Sequence, residues 1–381
     1  MRVAILGAGP AGLYLAYLLK RARPDFAISL YEQNPPDATF GFGLAFSERA
    51  LDFLRNEDAG TLAAIESGLE RWDDSVLTLK GEEIRIDGMG YAGISRLRLL
   101  EILQARARSV GIEPAYRRPI LALGELAEAD LIVGTDGVNS LVRRSDEAGF
   151  GAGTTYFSNR FAWYGTPKRF EALGHTFIET SFGAFNAHHH RHAPNMSTFV
   201  VEMDDPTFFR CGFDTMSPAE AQAYCERVFV DTLGGAPLIS NKSIWRQFPK
   251  ITNEHWSVGN RVLLGDALHT AHFSIGSGTR LAMEDAIALS RALGTHGSDI
   301  PAALGAYEAA RKPVVAKLVA AANASAAWYE HFAEHMRLSP LDFAMSYITR
   351  SGRVDEKRLR GTSPEFTAAY DAYRLKKMRQ T

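Results

Sequence analysis

The chain has 381 residues, 46% of them hydrophobic and 23% charged, with a formal net charge of −2. That length exceeds one ordinary core, and the balance is that of a folded globular protein rather than a disordered one. Near-neutrality gives no general pull toward nucleic acid or an anionic membrane, and no apolar run approaches the roughly 18 residues needed to span a bilayer.

In chain order, residues 2–6 read as a short buried strand, 13–20 as a helix and 28–31 as a second strand ended by Glu32. The turn between the first two is Gly7-Ala8-Gly9-Pro10-Ala11-Gly12. Gly7 permits the tight turn, Gly9 lets the backbone approach a pyrophosphate, and Gly12 lets helix and strand pack closely. Unpaired N–H groups at the helix start would hold the phosphates, and Glu32 would accept from a ribose hydroxyl. Pro10 suits the first helical turn, where its missing donor is no loss. The apolar N-terminus therefore belongs to the fold and is not expected to be a targeting signal.

Residues 95–110 place leucines at 97, 99, 100 and 103 beside Arg96, Arg98, Arg106 and Arg108, an amphipathic helix with a basic face. Residues 129–135 form another buried strand, closed by Asp136-Gly137, where the acid looks like a helix cap. From Asn159 to Pro249 the texture turns aromatic and alternating, as in a mostly antiparallel sheet with one buried face. Residues 261–264 return to a buried strand, followed by Gly265-Asp266, where ligands settle at the carboxyl edge of open α/β sheets. Gly276 and Gly278-Thr279 then open a helix whose N–H groups suit an electron-rich heterocycle. The expected division is a dinucleotide-binding domain split into 1–158 and 255–334, a β-rich substrate domain at 159–254, and a helical tail at 335–381. From 337 to 381 there are ten Lys/Arg against five Asp/Glu, read as a solvated helical surface rather than a phosphate site. Cys211 and Cys225 make no disulfide framework and lack metal-ligand spacing, so a reducing, cytoplasmic setting is expected.

The ordered set of Gly7–Gly12, Asp136-Gly137 and Gly265-Asp266, with Arg96-x-x-Leu99-x-x-x-Leu103 between, resembles the single-component (group A) FAD-dependent aromatic hydroxylases. The fold this implies is α/β, a Rossmann-type FAD-binding domain of the p-hydroxybenzoate hydroxylase kind with an inserted antiparallel sheet. Residues 39–47, Trp72-Asp73-Asp74, 159–163, 197–202 and 269–279 are similar to the salicylyl-CoA 5-hydroxylase and 2-aminobenzoyl-CoA monooxygenase branch, and the violacein-pathway hydroxylase is similar across the insert. Where the wider family usually has a proline, this chain has His272-Phe273, a replacement the branch shares. Relatives acting on 2-aminobenzoyl-CoA often carry a C-terminal reductase domain; this chain ends at Thr381, so no ring-reduction step is expected.

The resemblance implies that NADH or NADPH reduces FAD, that O₂ then forms a C4a-hydroperoxyflavin, and that an electron-rich aromatic ring takes the distal oxygen. It implies cofactor contacts from Gly7, Gly9, Ala11, Gly12, Glu32, Gly43, Arg96, Asp136, Gly265, Asp266, Gly276, Gly278 and Thr279. The expected substrate is an aromatic acyl-CoA thioester, with arginines such as Arg160, Arg191 and Arg210 available for its phosphates. A hydroxylase of a free aromatic or indolic metabolite and a non-catalytic flavin-binding protein are the alternatives. No nucleic acid or membrane partner is expected, and the chain would be a monomer or homodimer.

His188-His189-His190-Arg191-His192 puts three histidines on one strand face and His189 on the other. No carboxylate partner is evident and flavin chemistry needs no metal, so no metal site is expected. Following the relatives, His188 would bond the ring substituent; the alternative is a satisfied core histidine. His272 would contact substrate or cap local backbone, and His269 would be structural or chemical. Trp163, Tyr164 and Phe273 would wall an aromatic pocket, with core packing as the other reading of Trp163.

Overall fold

The computed structural model describes residues 1–380. Its first layer is a five-stranded sheet in the order Ser257–Val258, Arg261–Leu263, Leu131–Gly134, Arg2–Leu6, Ala27–Tyr31. All neighbours are parallel except the antiparallel first pair. Four of the five residues of Arg2–Leu6 are buried, because crossover helices cover both faces of a parallel sheet. The helices Pro10–Ala22 and Gly278–His296 pack on each other, joining the two distant halves of the chain into one core.

The second layer is a larger sheet in the order Ile239–Ser240, Ala152–Thr166, Met196–Met203, Gly183–Ala193, Leu173–Thr180, Ser75–Leu79, Glu82–Ile86, with Arg246–Asn253 also paired to Ala152–Thr166. It takes in more of the chain than residues 159–254. Its long strand begins at Ala152, and the hairpin Ser75–Ile86 comes from the first segment, joining in parallel to Leu173–Thr180. Without that hairpin the latter strand would present an unpaired edge. A three-stranded sheet of Gly43–Ser47, Tyr91–Ser95 and Glu70–Trp72 bridges the layers.

The C-terminal segment is helical but is not merely a solvated surface. Phe343, Ala344, Tyr347 and Ile348 of helix Pro340–Thr349 and Phe366 of helix Pro364–Met378 are buried with Leu77, Ile84, Ile86 and Phe177 of the sheet. The charge count conceals this, because most of the basic residues face out while apolar residues at helical spacing, with Arg350, face in. No described helix is long and apolar enough to cross a membrane.

Candidate flavin and substrate site

The glycine turn lies against the central motif. Gly7 adopts φ +96°, and a Cβ on it would overlap the Thr135 carbonyl; a Cβ on Gly12 would overlap the Gly7 carbonyl and Thr135 Oγ1. Gly9, the N-cap of Pro10–Ala22, has open space before it. Glu32 bends back to this turn. Its Oε2 accepts from Ala8 N at 2.9 Å and its Oε1 from Asn34 N at 2.8 Å. The late motif reaches the same helix, since a Cβ on Gly265 would come within 3.5 Å of Ala11 Cβ. Gly276 sits against the Ala45 carbonyl, and Gly43 against the His192 ring. Gly278 and Thr279 begin the helix Gly278–His296.

Three polar groups here lack partners. Asp136 Oδ2 accepts from Leu141 N at 2.6 Å, beside the Ser140 N-cap, but its buried Oδ1 is unpartnered. Arg96 opens its helix with the guanidinium over Trp163, 5.1 Å from the ring centre, and its buried Nε is unpartnered. Burial pushes that guanidinium down to about 10, with Asp266 opposing the shift. Asp266 itself is deep enough for burial to push its carboxyl up, yet it keeps open surface, as a side chain lining a narrow cleft does. An unpaired donor, two free carboxylate faces and an open glycine turn fit a dinucleotide carrying both phosphates and hydroxyls.

Asp285 supports the late motif and has no signal in the sequence pattern. Its Oδ2 accepts from Gly265 N at 3.3 Å and lies 2.8 Å from His269 Nε2, while its Oδ1 accepts from Arg311 Nε at 2.9 Å. Burial pushes the Asp285 carboxyl up, but His269 and Arg311 more than offset this and hold it below the usual range. His269 is therefore committed to an internal network.

Beside Arg96 stands an aromatic wall. Phe273 lies 4.9 Å from Phe161, 5.3 Å from Trp163 and 5.4 Å from His188, and His272 is 5.4 Å from Phe157 and 4.8 Å from Phe248. Tyr164 is not part of it. Alternation along Ala152–Thr166 sends that ring to the opposite face, into a core with Phe185 and Phe199.

The histidine run alternates as expected. His189 faces Phe170 at 4.0 Å; His190 stacks on Trp72 at 6.0 Å; His192 Nδ1 is 3.1 Å from Thr198 Oγ1. Burial pushes His189 down to about 3, His192 to about 4 and His190 well below the ordinary value. No group of three potential metal ligands occurs among the described residues.

His188 does have a carboxylate partner. Its Nε2 lies 3.1 Å from Glu202 Oε2 on the adjacent strand, and Glu202 Oε1 accepts from Asn159 Nδ2 at 2.9 Å. Burial pushes the Glu202 carboxyl up, but His188, His272 and Asn159 outweigh this and keep it below the usual range. Around the pair, His175 meets the His188 ring at 4.7 Å and its Nε2 is 2.6 Å from Tyr347 OH. The helical tail contributes directly: Arg350 Nη2 donates to the Ser274 carbonyl at 3.0 Å and Nε to Ser325 Oγ at 2.9 Å. Ser274 Oγ in turn lies 2.9 Å from His272 Nδ1. Burial pushes His272 down to about 4.

The arginines considered for phosphates are already engaged. Arg160 pairs with Asp205 at 2.6 Å, Arg191 with Glu70 at 2.9 Å, and Arg210 donates to the Phe182 carbonyl at 2.7 Å. Two other cations are free of such partners among the described residues. The side chains of Arg246, over Phe161 at 5.5 Å, and Lys250, over Phe157 at 4.7 Å, touch the aromatic wall from outside.

A parallel sheet with a glycine turn, two acidic turns at its carboxyl edge and a facing aromatic sheet defines a dinucleotide-dependent flavoprotein. Residues 111–322 match the family model described as FAD binding domain, and residues 5–50 match the NAD(P)-binding Rossmann-like domain. The chain belongs to the group A FAD-dependent aromatic hydroxylases. It is 40% identical to salicyloyl-CoA 5-hydroxylase of Streptomyces sp over 92% of this chain and 70% of that protein. It is 33% identical to 3-hydroxy-4-methyl-anthranilyl-(aryl-carrier protein) 5-monooxygenase of Streptosporangium sibiricum, over 94% of this chain and 97% of that one. The fold is shared with tetrameric 2-methyl-3-hydroxypyridine-5-carboxylic acid oxygenase, at TM-score 0.71 and 20% identity, covering 92% of this chain and 95% of that chain. The protein is thus an FAD-dependent aromatic monooxygenase with NAD(P)H as co-substrate.

Proposed function

We propose that the protein hydroxylates an aromatic ring carried as an acyl thioester, of the salicylyl-CoA or 2-aminobenzoyl-CoA kind. One observation carries this reading: the unpaired Arg96 guanidinium, in the field of Asp266, stands over an aromatic wall that ends at His188. Gly7, Gly9, Ala11, Gly12 and Glu32 hold the adenosine end; Asp136, Gly265 and Asp266 hold the bridge. Gly43, Arg96, Gly276, Gly278 and Thr279 surround the ring system. When bound, the flavin accepts a hydride from NAD(P)H and delivers one oxygen atom from O₂.

The chain's own residues do the rest. Trp163, His272 and Phe273 orient the arene and exclude water, which otherwise diverts reduced oxygen to peroxide. His188 bonds the ring substituent. Arg246 and Lys250, which lack protein counter-charges, take the phosphates of the thioester's arm. Residues 1–158 and 255–334 hold the cofactor, with hairpin Ser75–Ile86 joining 159–254 in the substrate layer and the tail bracing it.

Support for a thioester comes from two relatives, salicyloyl-CoA 5-hydroxylase and 3-hydroxy-4-methyl-anthranilyl-(aryl-carrier protein) 5-monooxygenase, whose substrates are carried by CoA and by a carrier protein. The test is NAD(P)H oxidation by the yellow protein with salicylyl-CoA, 2-aminobenzoyl-CoA, benzoyl-CoA and the free acids, with product identified by mass. Hydroxylated thioester supports the reading. Stimulation by free arenes alone favours a hydroxylase of a free metabolite, and no stimulation leaves a flavin-binding protein without turnover.

A further inference from the structure

We infer that Glu202 and His188 form a positioning pair in which His188 Nδ1 is the acceptor for a hydroxyl or amino proton on the substrate ring. The inference deepens the proposed hydroxylation and rests on it for the identity of the ring.

Three observations carry it. Glu202 is 1% exposed, and its two oxygens are taken by His188 Nε2 at 3.1 Å and Asn159 Nδ2 at 2.9 Å. A buried carboxylate kept ionised has no proton to give, so Nε2 carries the hydrogen and the lone pair is left on Nδ1. Nδ1 makes no hydrogen bond with any described residue, and the side chain keeps 9% of its surface open, with the Phe273 ring 5.4 Å away. An imidazole locked by a carboxylate on one nitrogen and bare on the other is built to accept a proton.

The chemistry follows from where charge develops. As oxygen adds to a ring carbon, the ring becomes electron-poor, and loss of the O–H or N–H proton to Nδ1 relieves this by forming a C=O or C=N bond. The imidazolium so formed faces ionised Glu202. When the attacked carbon then releases its own proton, aromaticity returns and His188 gives its proton back to the substituent. Electrons come from NAD(P)H through the flavin, and the second oxygen atom leaves as water. The pair also selects substrates. A ring without a donor leaves Nδ1 unpaired in a dry site, a far larger penalty than a missing methylene.

Groups facing the pair are Asn159, His175, Tyr329, His272 and, beyond them, Tyr347 and Arg350. Burial lowers both His175 and His272, so they stay neutral near pH 7.

The test compares Glu202→Gln, His188→Asn and the unaltered FAD-bound protein. In ¹⁵N spectra of histidine-labelled holoprotein, the resonance missing from His188→Asn should report a protonated Nε2 and a bare Nδ1. A protonated Nδ1 at neutral pH overturns the proposal, whatever the substrate proves to be. With the arene that drives turnover, Glu202→Gln should keep its FAD and nearly its KM while kcat falls by roughly 10²–10⁴-fold. In Glu202→Gln the same ¹⁵N resonance should no longer be held in that single Nε2-protonated form. An unchanged tautomer with an undiminished kcat in Glu202→Gln overturns the proposal, as does equal hydroxylation of salicylyl-CoA and benzoyl-CoA. If no thioester is hydroxylated but a hydroxyarene is, the substrate reading fails while the pair is still tested on that arene.

Discussion

Replacing Asp285 with alanine should uncouple the late motif from the fold. The carboxylate is fully buried and receives the Gly265 N–H, the His269 imidazole and the Arg311 guanidinium. Removing one member of such a network strands the others. Arg311 is only 7% exposed and would retain Glu284 alone, at 2.9 Å. Breaking a buried pair in this way costs about 3–5 kcal/mol, mostly the penalty of the abandoned charge. With Tm moving by roughly 2 °C per kcal/mol in a chain of this size, unfolding should come about 6–10 °C earlier. Because Gly265 sits on Ala11 of the first helix, FAD should also be lost more readily than the Tm change alone predicts. Calorimetry and flavin fluorescence on dilution measure both. The linkage has a definite sign. A carboxyl lowered in the folded state binds fewer protons than in the unfolded one, so its stability is present above the unfolded value and lost as pH falls through the folded value. In Asp285→Ala that part of the acid destabilisation should vanish. A variant with unchanged Tm, unchanged acid sensitivity and unchanged flavin retention would refute the reasoning.

Gly9→Ala should leave stability within about 0.5 kcal/mol, since nothing stands before its Cβ, yet weaken FAD binding; Gly12→Ala, which overlaps the Gly7 carbonyl, should destabilise the apoprotein itself. Thermal unfolding with and without FAD separates the two. Arg350→Ala removes three hydrogen bonds and a ring contact of 3.9 Å to Tyr347, so the loop bearing His272 should loosen and more NAD(P)H should be spent on peroxide per product formed. Peroxide and product yields check this. Arg246→Ala with Lys250→Ala should raise KM for a thioester by about tenfold and leave it unchanged for the matching free acid. A rise confined to NAD(P)H would instead assign these cations to the co-substrate.

The local sequence determined much of the cofactor side. Glycine at positions 7 and 12 is required because backbone approaches too closely for any Cβ, and such a demand is written at single positions. Period-two alternation likewise predicts that His188, His190 and His192 share a face, since the pleat repeats every second residue. What alternation cannot say is which side chain from another strand stands opposite. Glu202 reaches His188 only through the antiparallel register of Gly183–Ala193 with Met196–Met203, and Asp285 meets His269 only because a later helix crosses the Gly265 turn. The pairing of Arg160, Arg191 and Arg210, and the freedom of Arg246 and Lys250, were decided the same way. The tail shows the limit most plainly. Its net charge read as surface, yet charge counts average over a helix, whereas burial depends on which side meets the sheet.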